Sequence, residues 1–208
     1  MMVVVVLLLI NQVDLLDQVD LELGGRVDGL SRAAYMRDGD FESHARRGTI
    51  EESSCEDRDT IYRCPADYLA GSVSFGTLVH VVPETLDLKL DLSSASRFPN
   101  VDELYLLGHA PSFPVFATGY PDLGSETVWN ASLTGGLQLD WLEAELSGYA
   151  QRIEDYIYFS PVLNESGEPK VEVTIRGAFP GWDFQPIDAE FLGVDGFLEL
   201  GPDAPVGF

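Results

Sequence analysis

Histidine, cysteine and carboxylate are the side chains in this chain that could ligate a metal, attack a bond or move a proton. The three histidines are His44, His80 and His109, none at i, i+2 or i, i+4 to another, so no local metal-binding pair exists. His80 lies in an apolar run and reads as a hydrogen-bonded core or edge residue. His109 follows a strand-like segment, with Ser112 and Asp102 near in sequence, but no Gly-x-Ser-x-Gly elbow accompanies them. His44 stands beside Arg46 and Arg47, a pair that could take an anion. A solvated loop neutralised by Glu42, Glu51 or Glu52 is the simpler reading. No catalytic residue is assigned.

Carboxylates are abundant enough that pairs carry little information. Asp14, Asp17 and Asp20 recur every third residue and would share a face only on a helix. Asp38-Gly39-Asp40-Phe41-Glu42 is read as a turn whose Asp38, Asp40 and Glu42 could hold a structural calcium or magnesium ion. It lacks the full calcium-loop pattern, and no other cofactor is expected. Cys55 and Cys64 are spaced to close a hairpin as a disulfide, or else remain two thiols. No phosphate-cradling glycine loop is present. Asn130 and Asn164 begin permitted glycosylation sequons.

The elements that would position these residues are mainly β. Leu86 to Leu92 and Val171 to Arg176 alternate apolar with polar, as half-buried strands do. Val73 to Val82 and Tyr156 to Phe159 are further strands, and Pro-Gly clusters punctuate them. The expected fold is an antiparallel β-sandwich or barrel with one short amphipathic helix over about 139–155 and an extended N-terminal segment. Leu139, Leu142, Leu146, Tyr149 and Ile153 form the helical stripe, behind Asp140-x-x-Glu143 as a capping box. Leu137, Leu139 and Trp141 offer the competing strand reading. Residues 1–48 are expected to form a strand or arm, able to join the same sheet, and 49–208 a β-rich domain. The run Val3, Val4, Val5, Val6, Leu7 and Leu8 reads as a strand seeking a partner. It is too short for a helical membrane span, and no membrane span is expected. Phe179 to Phe184 reads as an aromatic turn, with Trp182 and Phe184 forming an interface patch if exposed.

Charge bounds the function. Thirty-five acidic residues oppose twelve basic ones, and Lys89 and Lys170 are the only lysines. The acids run evenly along the chain, which excludes an acidic tail and a basic nucleic-acid patch. With 45% hydrophobic residues the chain is not disordered. An even acidic coat poor in lysine points to a halophilic protein, since molar salt screens the repulsion. These features together predict a non-enzymatic structural subunit: a capsid, tail or appendage protein joined to other subunits, as homo-oligomer or hetero-assembly. It would sit in a virion or extracellular assembly. The alternatives are a halophilic enzyme or small-ligand binder in a high-salt cytosol, with a site built from distant loops, and a secreted or surface binding module.

Overall fold

The computed structural model describes residues 3–16, 18–109 and 113–201. It is built on long antiparallel strands: β1 (Val3–Leu16), β2 (Val19–Arg37), β4 (Ile61–Val82), β5 (Leu86–Arg97), β8 (Glu126–Leu139), β9 (Leu142–Pro161) and β11 (Gly177–Leu200). Shorter strands are β3 (Glu56–Arg58), β6 (Leu107–His109), β7 (Phe116–Thr118) and β10 (Val171–Thr174). All belong to one sheet, whose long strands lie in the order β1-β2-β4-β5-β8-β9-β11. This is a meander, in which each long strand pairs with the next one along the chain. The outer edge of β1, and that of β11 beyond Asp183, carry no strand partner among the described residues.

The described residues hold two α-helices, α1 (Asp38–Arg47) and α2 (Val101–Tyr105). Neither falls at 139–155, where a helix was expected. That stretch is the turn into β9 and β9 itself. Leu142, Ala144, Leu146, Gly148 and Ala150 alternate with Glu143, Glu145, Ser147, Tyr149 and Gln151, and that period of two prevails over the helical stripe. The capping box forms elsewhere, with Asn100 and Glu103 at the start of α2. Asp38 to Glu42, read as a turn, opens α1, and Gly48 closes it with φ of 69°. The sheet is neither a sandwich nor closed on itself. Residues 3–16 pair in register with β2 rather than reaching away as an arm. The side chains of Val3 to Leu8 lie outside those described.

The connections divide by length. β1–β2, β4–β5 and β8–β9 turn within a few residues, all at one end of the sheet. Residues 38–60, 98–125 and 162–176 form three long connections, all at the other end. The packed core is gathered there. Met36, Phe41, Ile50 and Cys64 form one buried cluster; Leu104, Leu123 and Ile157 form another, and Tyr105 packs against both. Phe41 stacks on Tyr62 at 3.8 Å between centroids, and the Cys55–Cys64 disulfide ties the β3–β4 hairpin into this cap. Gly119 passes so near α2 that an added Cβ would lie 2.7 Å from the Leu104 backbone. Most of the sheet's apolar residues lie outside both clusters.

Candidate functional site

Cross-strand partners share a face, so the register sorts every strand residue onto one of two sides. One row across six strands reads Leu23, Phe75, Leu92, Ala131, Ala150 and Leu192. Two residues towards the short turns, Leu90, Leu133, Gly148 and Val194 continue the same face. The row between them, on the opposite face, reads Glu22, Gly76, Asp91, Ser132, Tyr149 and Gly193. One side is thus aliphatic and the other charged or hydroxylic.

Hydrogen bonding and ion pairing in this part of the sheet follow the polar side. His80 bridges Asp87 at 2.7 Å and Asp20 at 3.3 Å, joining three adjacent strands. Lys89 pairs with Asp91 at 3.1 Å, Arg26 with Asp28 at 2.8 Å, and Thr134 meets Ser147 at 2.8 Å. Among the described residues the aliphatic side shows such contacts only at its upper rim, Ser96 with Thr127 and Arg152 with Glu154 and Asp188, and it has no covering layer: Leu69 is 78% exposed, Leu133 57% and Leu192 84%. An uncovered apolar face of this extent is not stable against water. Its height follows from the strand. Ten residue steps from Leu139 to Trp129 at ~3.3 Å each, tilted by ~40°, rise ~25 Å. Trp129 is exposed at the upper rim, and Trp141, in the β8–β9 turn, stands at the lower one. Tryptophan at both rims suits a boundary between hydrocarbon and water.

The capped end is polar. A cleft of about 310 Å³ opens where α1, the residues after β7, β10 and β11 meet. Arg46, Arg47, Lys170, Glu172, Tyr120 and Asp183 are among its lining residues. Arg47 donates from both terminal nitrogens to Glu172 at 3.1 Å, and the hydrogen bonds from Arg47 hold the Glu172 carboxyl below its usual pKa. Asp183 is buried and accepts from Tyr120 and Gln185. Burial first, then the Asp183 charge, raises the Tyr120 phenol.

The sequence candidates scatter over this framework. Asp38 and Asp40 lie in the first turn of α1, Glu42 pairs with Arg46, and no metal-holding cluster of His, Cys, Asp or Glu exists among the described residues. His44 is not on a solvated loop. It is buried against Thr49 at 2.8 Å, and burial pulls its pKa down despite Asp40. His109 lies against Phe179 at 4.3 Å between centroids, and its Nε2 is 3.5 Å from the Thr174 hydroxyl; Ser112 falls outside the described residues. Trp182 and Phe184 belong to β11 and pack on Phe159, so they do not form an exposed turn. Asn130 sits on the polar face of β8, and Asn164 in the turn before β10. The expectation that Arg46 and Arg47 find their carboxylates nearby holds for Arg46 alone, since Glu172 is 125 residues from Arg47.

A long-stranded meander with one aliphatic face, short turns at one end and long connections at the other defines the wall of a membrane β-barrel. The family model for the TonB dependent receptor-like β-barrel matches residues 7–196, and the chain belongs to that family. No curated protein matches it. Among solved structures it is similar in fold to the copper transporter OprC, at 17% identity over 90% of this chain and 25% of that one, TM-score 0.60. It also resembles the Serratia marcescens hemophore receptor HasR, a double mutant in complex with its hemophore HasA and heme, at 16% identity over 94% and 31%, TM-score 0.65. A third is the siderophore receptor PirA from Pseudomonas aeruginosa, at 15% over 93% and 38%, TM-score 0.50. The chain spans about a quarter to two-fifths of those proteins.

This membership overturns the virion, capsid and tail reading, and with it the virion, extracellular and cytosolic placements: the family's barrels are outer-membrane proteins. The expectation of no membrane span tested only for helices. No helix among the described residues is long and apolar enough to cross a membrane, but a strand crosses with every second residue apolar. The even acidic coat is corrected too. Spread evenly along the chain, the strand acids fall largely on one face, and the argument for brine loses the uniform surface on which it rested.

Proposed function

We propose that this chain forms part of the wall of an outer-membrane receptor that takes a ligand across the membrane. In this reading the aliphatic face meets lipid and the charged face lines the lumen. The three long connections form the outer mouth, where a ligand or a carrier protein first makes contact. The observation that carries it is the sorting of side chains by face over a band ~25 Å high, the thickness of the apolar belt of such barrels. Seven long strands are about a third of the 22 in outer-membrane transporter barrels with a plugged lumen, in keeping with the share of each solved relative that is covered. Closure then needs further strands along the free edges of β1 and β11, since an unpaired edge is not tolerated in hydrocarbon. The relatives' copper, heme and siderophore ligands support a metal or metal-chelate cargo, and the HasR–HasA complex supports a protein carrier as one way of delivering it.

Spin labels attached at single cysteines test the reading. In lipid vesicles, labels at Leu90, Leu133 and Leu146 should be accessible to oxygen and shielded from a water-soluble nickel chelate. Labels at Ser93, Ser132 and Ser147 should show the reverse. Equal accessibility on the two faces would overturn it.

A further inference from the structure

The Arg46-Arg47 motif has no role in spanning a membrane, yet the fold gives it unusual company. Only twelve basic residues occur in the chain, and three of them, Arg46, Arg47 and Lys170, line the single 310 Å³ cleft at the mouth. They arrive from α1 and from the β9–β10 connection, so sequence proximity does not explain the gathering. Two lining carboxylates, Glu172 and Asp183, oppose them, and Glu42 pairs with Arg46 from outside the cleft, so the cluster is balanced where the whole chain carries a net charge of -23.

The carboxylates differ in what holds them. Asp183 is buried, with its oxygens taken by Tyr120 at 3.1 Å and Gln185 at 2.9 Å, so it belongs to the cleft wall. Glu172 engages both cations at once: the Arg47 fork at 3.1 Å and the Lys170 ammonium at 3.3 Å. Arg47 is braced behind by Phe116, 5.0 Å from its guanidinium carbon to the ring centroid. The Val162, Lys170 and Gly181 backbones are locked by mutual hydrogen bonds of 2.7–2.9 Å, which fix the floor. A planar guanidinium held with its fork towards a carboxylate, with an ammonium beside it, is a preformed carboxylate receptor.

We infer that this cleft binds a small carboxylate-bearing ligand, whose carboxylate takes the Arg47–Lys170 pair in place of Glu172. Glu172 occupies the receptor while the cleft is free, and its displacement exchanges one charge-assisted pair for another. The inference deepens the receptor reading by naming a ligand chemistry, and rests on it only for the side of the membrane that the cleft faces.

Succinate is a suitable probe, titrated by calorimetry into the protein in lipid nanodiscs at low ionic strength, with acetate, inorganic phosphate and sucrose as companions. Saturable succinate binding is expected, with none for sucrose. Lys170→Gln and Arg47→Gln should each weaken it about tenfold, as loss of one charge-assisted bond does. Glu172→Gln should strengthen it several-fold, because the competing carboxylate is gone. A merely structural role for the cluster would move all three variants in the same direction. Hydrogen exchange in α1 reports whether the cap stays folded, and Lys170→Gln leaves the α1 to β10 tie in place should Arg47→Gln loosen it. Binding that is absent, indifferent to Glu172→Gln and Lys170→Gln, or found for phosphate and not succinate overturns the inference. Because binding is measured apart from the spin-label test, succinate binding with both faces wet would sink the membrane reading and spare the cleft.

Discussion

Placing one arginine on either side of the β8 strand separates a lipid-facing wall from an ordinary half-buried sheet. Leu133 lies inside the band, six residues from Leu139 and four from Trp129, ~15 Å and ~10 Å from the two rims after allowing for strand tilt. Its cross-strand neighbours are Leu90 and Gly148, so no carboxylate on its row can compensate a cation. Leu133→Arg therefore puts a guanidinium near the middle of the apolar band, where the cost is ~2–4 kcal/mol. Ser132, the adjacent residue, points to the other face and sits opposite Asp91 and Tyr149. Ser132→Arg meets an existing carboxylate in a wet environment and should cost within ~1 kcal/mol of nothing. The assay is reversible urea unfolding from phospholipid vesicles, followed by tryptophan fluorescence, with the midpoint and slope compared for both variants. A difference of ~2 kcal/mol or more, in the stated order, is expected. If the two variants unfold at the same urea concentration, the aliphatic face does not meet hydrocarbon.

Three further outcomes concern the cap. Leu104→Ala should cost ~2–5 kcal/mol of cap stability, and Gly119→Ala should loosen the same contact by forcing a Cβ against the α2 backbone; limited proteolysis after residue 98 reads both. Replacing Cys55 and Cys64 together by serine should lose ~2–3 kcal/mol, the loop entropy of a nine-residue separation, seen as faster exchange of α1 amides with the sheet unchanged. The buried His44 has a folded pKa below its unfolded value, so the unfolded cap binds the proton first. Cap stability should be full above about pH 6.5, fall as the pH drops from there towards the lowered folded value, and level off below it. Intrinsic-rate-corrected hydrogen exchange of α1 at pH 7.5 and 5.5 measures this, and a His44→Gln variant should show no such slope.

The alternation of Leu86 to Leu92 settled that β5 is a strand with one dry face, and the same pattern was present in β9 beneath a misleading helical stripe. Leu142 and Leu146 share a face in either periodicity, while Tyr149 and Ile153 do so with them only on a helix; Gly148 and the acids Glu143 and Glu145 decide for the strand. The Asn100-x-x-Glu103 cap was equally legible, though the motif was sought at Asp140. No local signal could have brought Glu172 to Arg47 or buried His44, because those contacts depend on three long connections folding over one another.

Residue order by itself determined the period of two and hence strands with one apolar side and one polar side. It could not say what the apolar side faces, because a protein core and a lipid tail both exclude water and select the same residues. Only the assembled sheet, with its aliphatic faces aligned across six strands and no layer of protein over them, decided between the two.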